Sequence, residues 1–252
     1  MKIDFPVPQQ YEQLMQLWQE AFGDTEEFVD GFFCTAFSPA RCRCVTIDGK
    51  VVAALYWMDV TYEGQRFAYL YAVAVAEKHR GKGLCAALMA DTHAHLTLRG
   101  YDGVLLVPQE EGLRQMYEKM GYRNATSVDE FPAQAGDTPV TLQRIDREEY
   151  ARLRKALLPA GSAVEEEESI AFLETMAFFY RGENLLLAAH AENGKLWCPE
   201  FLGAPSAAPG VLAALRCGEG HFRTGGNTFP FAMFLPLEED VRIPSYLGFA
   251  FD

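Results

Sequence analysis

The stretch that most restricts this chain is a glycine-punctuated turn between two apolar segments. Phe67 to Ala76 is an unbroken apolar and aromatic run that reads as a strand, and Leu84 to about Leu98 reads as a helix closed by Gly100. Between them lies Arg80-Gly81-Lys82-Gly83. Glycines at 81 and 83 free the backbone for close approach and for conformations that a Cβ forbids. Successive N–H groups then face outward at a helix N-terminus, where unpaired donors and the helix dipole favour an anion. Lys78, His79, Arg80 and Lys82 gather positive charge at this one place, although the chain carries a formal net charge of −13 over 252 residues. That local reversal of sign points to a bound phosphate or pyrophosphate.

Two nucleotide-binding loops do not match. There is no Gly-x-x-x-x-Gly-Lys-Ser/Thr. As a dinucleotide fingerprint, Ala86 can stand for the third glycine, but Asp102 precedes the strand Val104 to Val107 and would not reach a ribose from the strand's far end. The acidic balance argues against broad binding to nucleic acid or to an anionic membrane surface, which need a basic footprint. The longest apolar run is half of the roughly 20 residues a spanning helix requires, and Met1-Lys2-Ile3-Asp4 opens no secretory signal. The expectation is a cytoplasmic protein. Cys34, Cys42, Cys44, Cys85, Cys198 and Cys217 form no two-residue-spaced pair, so no metal site is expected. Cys42 and Cys44, flanking Arg43, read as small buried hydrophobes.

Around the turn, apolar spacing predicts a helix over Pro8 to Phe22 and a second, capped by Asp24 to Glu27, through Phe28, Phe32 and Phe33. Cys42 to Ile47 and Val51 to Val60 read as strands joined by Asp48-Gly49. Val104 to Val107, wholly apolar, reads as a strand of a parallel pair buried on both faces. Glu111 to Met120 reads as a helix and Tyr122 to Phe131 as one strand. The aperiodic segment Pro132 to Pro139 is the expected domain boundary, giving domains 1–133 and 140–252.

These residues resemble the GNAT superfamily of N-acetyltransferases. The family's Arg/Gln-x-x-Gly-x-Gly/Ala reads here Arg80-Gly81-Lys82-Gly83-Leu84-Cys85, with Cys85 in the final small position. Val73-Ala74-Val75 resembles the strand whose backbone pairs with the pantetheine arm of acetyl-CoA, and Tyr117-Glu118-Lys119-Met120-Gly121-Tyr122 resembles a Tyr-x-x-x-Gly-Phe/Tyr motif. Where the family often has Asn seven residues before that tyrosine, Glu110 stands here. The resemblance covers roughly residues 1 to 131. It implies an α/β fold with a mixed sheet, with acetyl-CoA as co-substrate on Val73, Ala74, Val75, Arg80, Gly81, Lys82, Gly83, Leu84 and Cys85. It further implies Tyr117 as general acid, and transfer of acetyl to a primary amine of a small molecule, amino acid or peptide by direct attack. A non-catalytic acyl-CoA sensor is the alternative. Asp59, Tyr69, Tyr71, Glu27 and Asp30 are the groups from which a general base could come.

Beyond residue 140 the pattern starts again, which predicts a degenerate second copy of the fold. Glu149 to Leu158 parallels the first helix, and Glu165 to Glu168 followed by Ile170, Phe172 and Leu173 parallels the second. Ala232 to Glu239 resembles Val104 to Glu111, and Tyr246 to Phe249 echoes Tyr117 to Tyr122. No phosphate turn recurs. Gly203 to Gly210 carries no charge cluster, and its prolines remove N–H donors. This half is expected to wall the substrate cleft or form a subunit interface, which leaves a homodimer open. The final run, Tyr246 to Asp252, is a candidate to cross back into the first sheet with its terminal carboxylate.

Overall fold

The computed structural model describes residues 1–165 and 167–251. In chain order the elements are β1 (Lys2–Asp4), α1 (Tyr11–Phe22), α2 (Glu26–Thr35), β2 (Cys42–Ile47), β3 (Lys50–Tyr62), β4 (Gln65–Val75), α3 (Leu84–Leu98), β5 (Gly103–Leu106), α4 (Glu111–Lys119) and β6 (Arg123–Asn124). There follow β7 (Ser127–Gln134), β8 (Gln143–Ile145), α5 (Arg147–Leu157), β9 (Val164–Glu165), α6 (Glu167–Glu174), β10 (Phe178–Gly182), β11 (Leu185–Glu192), β12 (Lys195–Leu202), α7 (Ala208–Leu215), β13 (Glu219–Gly225), β14 (Phe229–Pro230) and β15 (Met233–Pro236). They form two compact units, Met1–Arg123 with Met233–Arg242, and Asn124–Ala232 with Ile243–Asp252.

In the first unit the strand order is β1-β2-β3-β4-β5-β15-β6. The β2–β3–β4 meander is antiparallel, and β5 returns through α3 to lie parallel to β4, as its all-apolar sequence requires. Thr25 caps α2 by accepting the Phe28 N–H, and Gly23 ends α1 at φ +74°. One core, with Leu55, Trp57, Leu88, Met89, Leu96 and Val104, packs α3 and α4 on one sheet face. On the other, Trp18 of α1 and Phe32 of α2 pack on Tyr56 and Tyr71. Cys42 and Cys44 are buried free thiols, and burial pushes both up.

The second unit repeats this plan in a 7-stranded sheet of order β14-β7-β13-β12-β11-β10-β8. Here β10–β11–β12 is the antiparallel meander, α7 the crossover and β13 the parallel return beside β12. Each sheet adds an antiparallel strand beside that return, β15 against β5 and β7 against β13.

Four expectations are corrected. The single strand at Tyr122 to Phe131 divides, Arg123–Asn124 joining the first sheet and Ser127–Gln134 the second. The expected boundary at 132–139 therefore starts inside a strand, and the division of units falls at Arg123 and Asn124. The likeness of Ala232 to Glu239 to Val104 to Glu111 is not that of equivalent strands. Met233–Pro236 pairs directly with Gly103–Leu106, Met233 opposite Leu106 and Pro236 opposite Gly103. Tyr246 to Phe249 is not helical as Tyr117 is, and Tyr246 to Phe251 belongs to the second unit, so the strand that crosses back is β15. Asp252, with the terminal carboxylate, lies outside the described residues.

Candidate functional site

β4 hands over to α3 through a short helical turn at Glu77–His79 and then Arg80 to Gly83. The Glu77 N–H donates to Oε1 of Glu20 on α1 at 2.8 Å, which pins the turn. Gly81 and Gly83 take φ of +72° and +76°, and a Cβ at either would meet nothing within 4 Å. Glycine is therefore required by backbone conformation, not crowding, and the space in front of both stays open. Gly83 is the N-cap of α3 and offers no side chain to it; the helical ladder begins with the Ala87 N–H on the Gly83 carbonyl at 3.0 Å. The amides of Leu84, Cys85 and Ala86 precede that ladder and point out of the helix end. The Arg80 Nε donates to the Val75 carbonyl at 3.1 Å and the Lys82 Nζ to the Lys78 carbonyl at 2.8 Å, so both cations are folded back beside the turn.

The far end of β4 completes the cradle. Its pairing with β5 stops at Tyr69 opposite Leu105, whereas its pairing with β3 continues to Val75 opposite Ala53. One edge of β4 is therefore open beyond Tyr69. The Ala76 N–H donates to Val52, so alternation turns the N–H and C=O of Val73 and Val75 toward the open edge. Tyr56 pairs with Tyr71 and Ala54 with Ala74, leaving Ala72 and Val73 together opposite Leu55. This is a β-bulge, and Ala72 stands at φ +48°. An alanine carries no preference for that region, so nothing local announces the bulge.

Tyr117 lies on α4, 6% exposed, in the same core as Leu84 and beside Cys85. Burial, with the neighbouring Cys85, pushes its phenol well above the usual range, so it stays a neutral proton carrier. Burial pushes the Cys85 thiol up too, which makes it a packing group and not a thiolate. Tyr117 meets Tyr122 edge-on at 5.7 Å, and the Tyr122 hydroxyl is hydrogen-bonded to Nε2 of His93 at 2.7 Å. His93, on α3, thereby anchors the tyrosine pair.

Burial lowers His93 to about 4. Between that value and an unfolded value of about 6.5 the folded state binds fewer protons, so this contribution is full above pH 6.5 and is lost as pH falls to 4. The first unit is expected to lose up to about 3 kcal/mol across this window. Denaturant unfolding at pH 7 and pH 5 checks it: His93→Gln should flatten the acid dependence, and an unchanged slope contradicts the assignment.

Of the candidate bases, Asp59 is engaged elsewhere, receiving Arg66 Nη2 at 3.2 Å and the Tyr101 hydroxyl at 2.5 Å. Tyr69 is buried, Tyr71 packs on Trp18, and Glu27 and Asp30 are exposed on α2. Glu110 is the N-cap of α4 and makes no side-chain cap. In the second unit the crossover helix begins with Pro209 in its first turn and an N-cap, Ala207, at φ −82°, so no outward row of amides forms. No helix among the described residues is long and apolar enough to cross a membrane.

Residues 4–125 match the family described as the acetyltransferase (GNAT) domain. The fold is similar to that of a GCN5-related N-acetyltransferase from Kribbella flavida, at TM-score 0.70 and 20% identity over 92% of this chain and 70% of that one. It is also similar to a GCN5-related N-acetyltransferase from Anabaena variabilis ATCC 29413, at TM-score 0.71 and 15% identity over 94% and 73%. A tandem GNAT protein from the clavulanic acid biosynthesis pathway, without acetyl-CoA, aligns at TM-score 0.61 and 11% identity over 95% of this chain and 100% of that one. No curated protein compared with the sequence matches it.

Proposed function

We propose that this chain, a GNAT-superfamily protein whose residues 4–125 are its acetyltransferase domain, transfers acetyl from acetyl-CoA to a primary amine of a small molecule, amino acid or peptide. The observation that supports it most is the meeting, in one unit, of outward amides at 81–85, an open strand edge at Val73 and Val75, and a neutral phenol at Tyr117.

Acetyl-CoA supplies the thioester from which acetyl is transferred. The amides of Gly81, Lys82, Gly83, Leu84 and Cys85 would hold its pyrophosphate, and Arg80 and Lys82 add charge to those bonds. Val73, Ala74 and Val75 would act through their backbone, the open-edge amides of Val73 and Val75 serving the pantetheine arm and the oxyanion that develops as a neutral amine attacks. Tyr117 would give its proton to the departing thiolate, a task that suits a phenol kept protonated by burial. The second unit has no row of amides at its crossover helix, so one coenzyme binds per chain. The cytoplasm is the compartment that this reading expects.

A thiol-release assay with acetyl-CoA and a panel of primary amines tests the proposal. Thiol release that requires an amine supports it. Coenzyme binding without turnover across the whole panel would instead favour a non-catalytic acyl-CoA sensor.

A further inference from the structure

We propose that the first unit holds a second ligand site, a cationic cavity at the C-terminal end of α3, which binds a small dianion carrying a phosphoryl group or two carboxylates. The cavity encloses about 250 Å³ and is walled by Arg41, Trp57, Asp59, Arg66, Arg99 and Tyr101, with His95 beside Arg99. It is separate from the amide turn. Gly83 caps one end of α3 and Arg99 the other, and a 15-residue helix is roughly 22 Å long.

The side chains are held before any ligand arrives. The Tyr101 hydroxyl donates to Asp59 at 2.5 Å and accepts from Arg66 Nη2 at 2.7 Å and from the Trp57 indole N–H at 3.1 Å. The Arg66 guanidinium lies 3.9 Å over the Tyr101 ring, and Arg41 Nη1 reaches Asp59 at 3.5 Å. Trp57 and Tyr101 are 2% and 3% exposed and form a rigid floor.

Charge decides what such a cavity takes. Among the residues that line the cavity, Asp59 is the one carboxylate and Arg41, Arg66 and Arg99 are three guanidiniums, and Arg99 makes no ion pair among the described residues. The C-terminal dipole of α3 offsets about half a charge. An excess of positive charge therefore remains in a chain of net charge −13. His95 cannot add to it: burial first, and then Arg43 and Arg99, lower its affinity for a proton, leaving it a neutral hydrogen-bonding group. Planar guanidinium forks match carboxylate and phosphoryl oxygens two at a time. The volume falls under the roughly 300 Å³ at which drug-sized sites begin, which fits a metabolite of few heavy atoms.

Calorimetric titration of the full chain with inorganic phosphate and, separately, succinate at fixed ionic strength tests the site, each with and without excess coenzyme A. Saturable binding of one equivalent in either arm, unmoved by coenzyme A and weakened tenfold or more by Arg99→Gln, is the expected result. Arg99 is exposed and has no ion pair to lose among the described residues, so that variant keeps the fold. Binding of phosphate alone identifies a phosphoryl ligand and of succinate alone a dicarboxylate. No saturable binding in either arm, binding that survives Arg99→Gln, or displacement by coenzyme A overturns the proposal.

Discussion

Glu200→Ala is expected to cost the second unit about 3–5 kcal/mol of unfolding free energy, read by urea denaturation. Arg154 is 1% exposed, and its charge is matched by Glu200, reached from Nε at 2.7 Å and Nη2 at 2.9 Å, and by Glu165 at 2.6 Å. The Tyr150 hydroxyl also donates to Glu200 at 2.5 Å. Removing Glu200 leaves Arg154 Nε and the Tyr150 hydroxyl without that acceptor where water cannot reach, with Glu165 still on Nη2, and the desolvation of those two donors is the source of the cost. The chain's last segment is tied to the same group. The Phe249 ring lies 4.6 Å under Arg154, the Phe249 N–H points to Glu165, and a Cβ on Gly248 would overlap the Glu200 carboxylate. A cost below about 1 kcal/mol, the range of exposed pairs, would mean that the ion pair is not buried as described.

The cluster has a pH signature opposite to that of His93. Burial raises Glu165 to about 7 although Arg154 opposes it. The folded second unit thus holds a proton that the unfolded chain, with an ordinary glutamate value near 4.5, releases. Stability from this group is full below pH 4.5 and is lost as pH rises through 7. Glu165→Gln should remove that slope.

Tyr117→Phe is expected to lower kcat by about 10²-fold or more with the KM for acetyl-CoA little changed, as loss of a proton donor requires. The ring packs on Tyr122, and among the described residues the hydroxyl makes no hydrogen bond, so unfolding free energy should move by less than about 1 kcal/mol. Equal activity of the two proteins at pH 7 would reduce Tyr117 to a packing residue.

What is legible in this sequence is what local chemistry dictates. The glycines at 81 and 83 announce left-handed backbone, and their cations reverse the sign of an acidic chain within six residues. The apolar run at Val104 announces a strand covered on both faces. The rest depends on contacts distant in sequence. Tyr122 to Phe131 reads locally as one strand, and only long-range register sends Arg123 to one sheet and Ser127 to the other, with Ala125 and Thr126 between them in neither strand. Ala232 to Leu235 resembles Val104 to Val107, yet the two runs are neighbours in one sheet, where Met233 and Phe234 are buried beside Leu105 and Leu106, and a shared environment suits similar side chains. The bulge at Ala72 is imposed by tertiary pairing on a residue with no preference for it. Asp59, read as a candidate base, is drawn into an arginine and tyrosine network whose members are up to 42 residues away.

Calorimetric titration of the wild-type chain and of Gly83→Val with coenzyme A is the most direct measurement of the central claim. A valine cannot hold φ +76° without strain, and it faces open space, so the change reaches the amide row and not the core. The expected result is one saturable site per chain, at least tenfold weaker in Gly83→Val while its thermal unfolding stays close to wild type. Two sites per chain, or equal affinity in the two proteins, would contradict a diphosphate held at the start of α3.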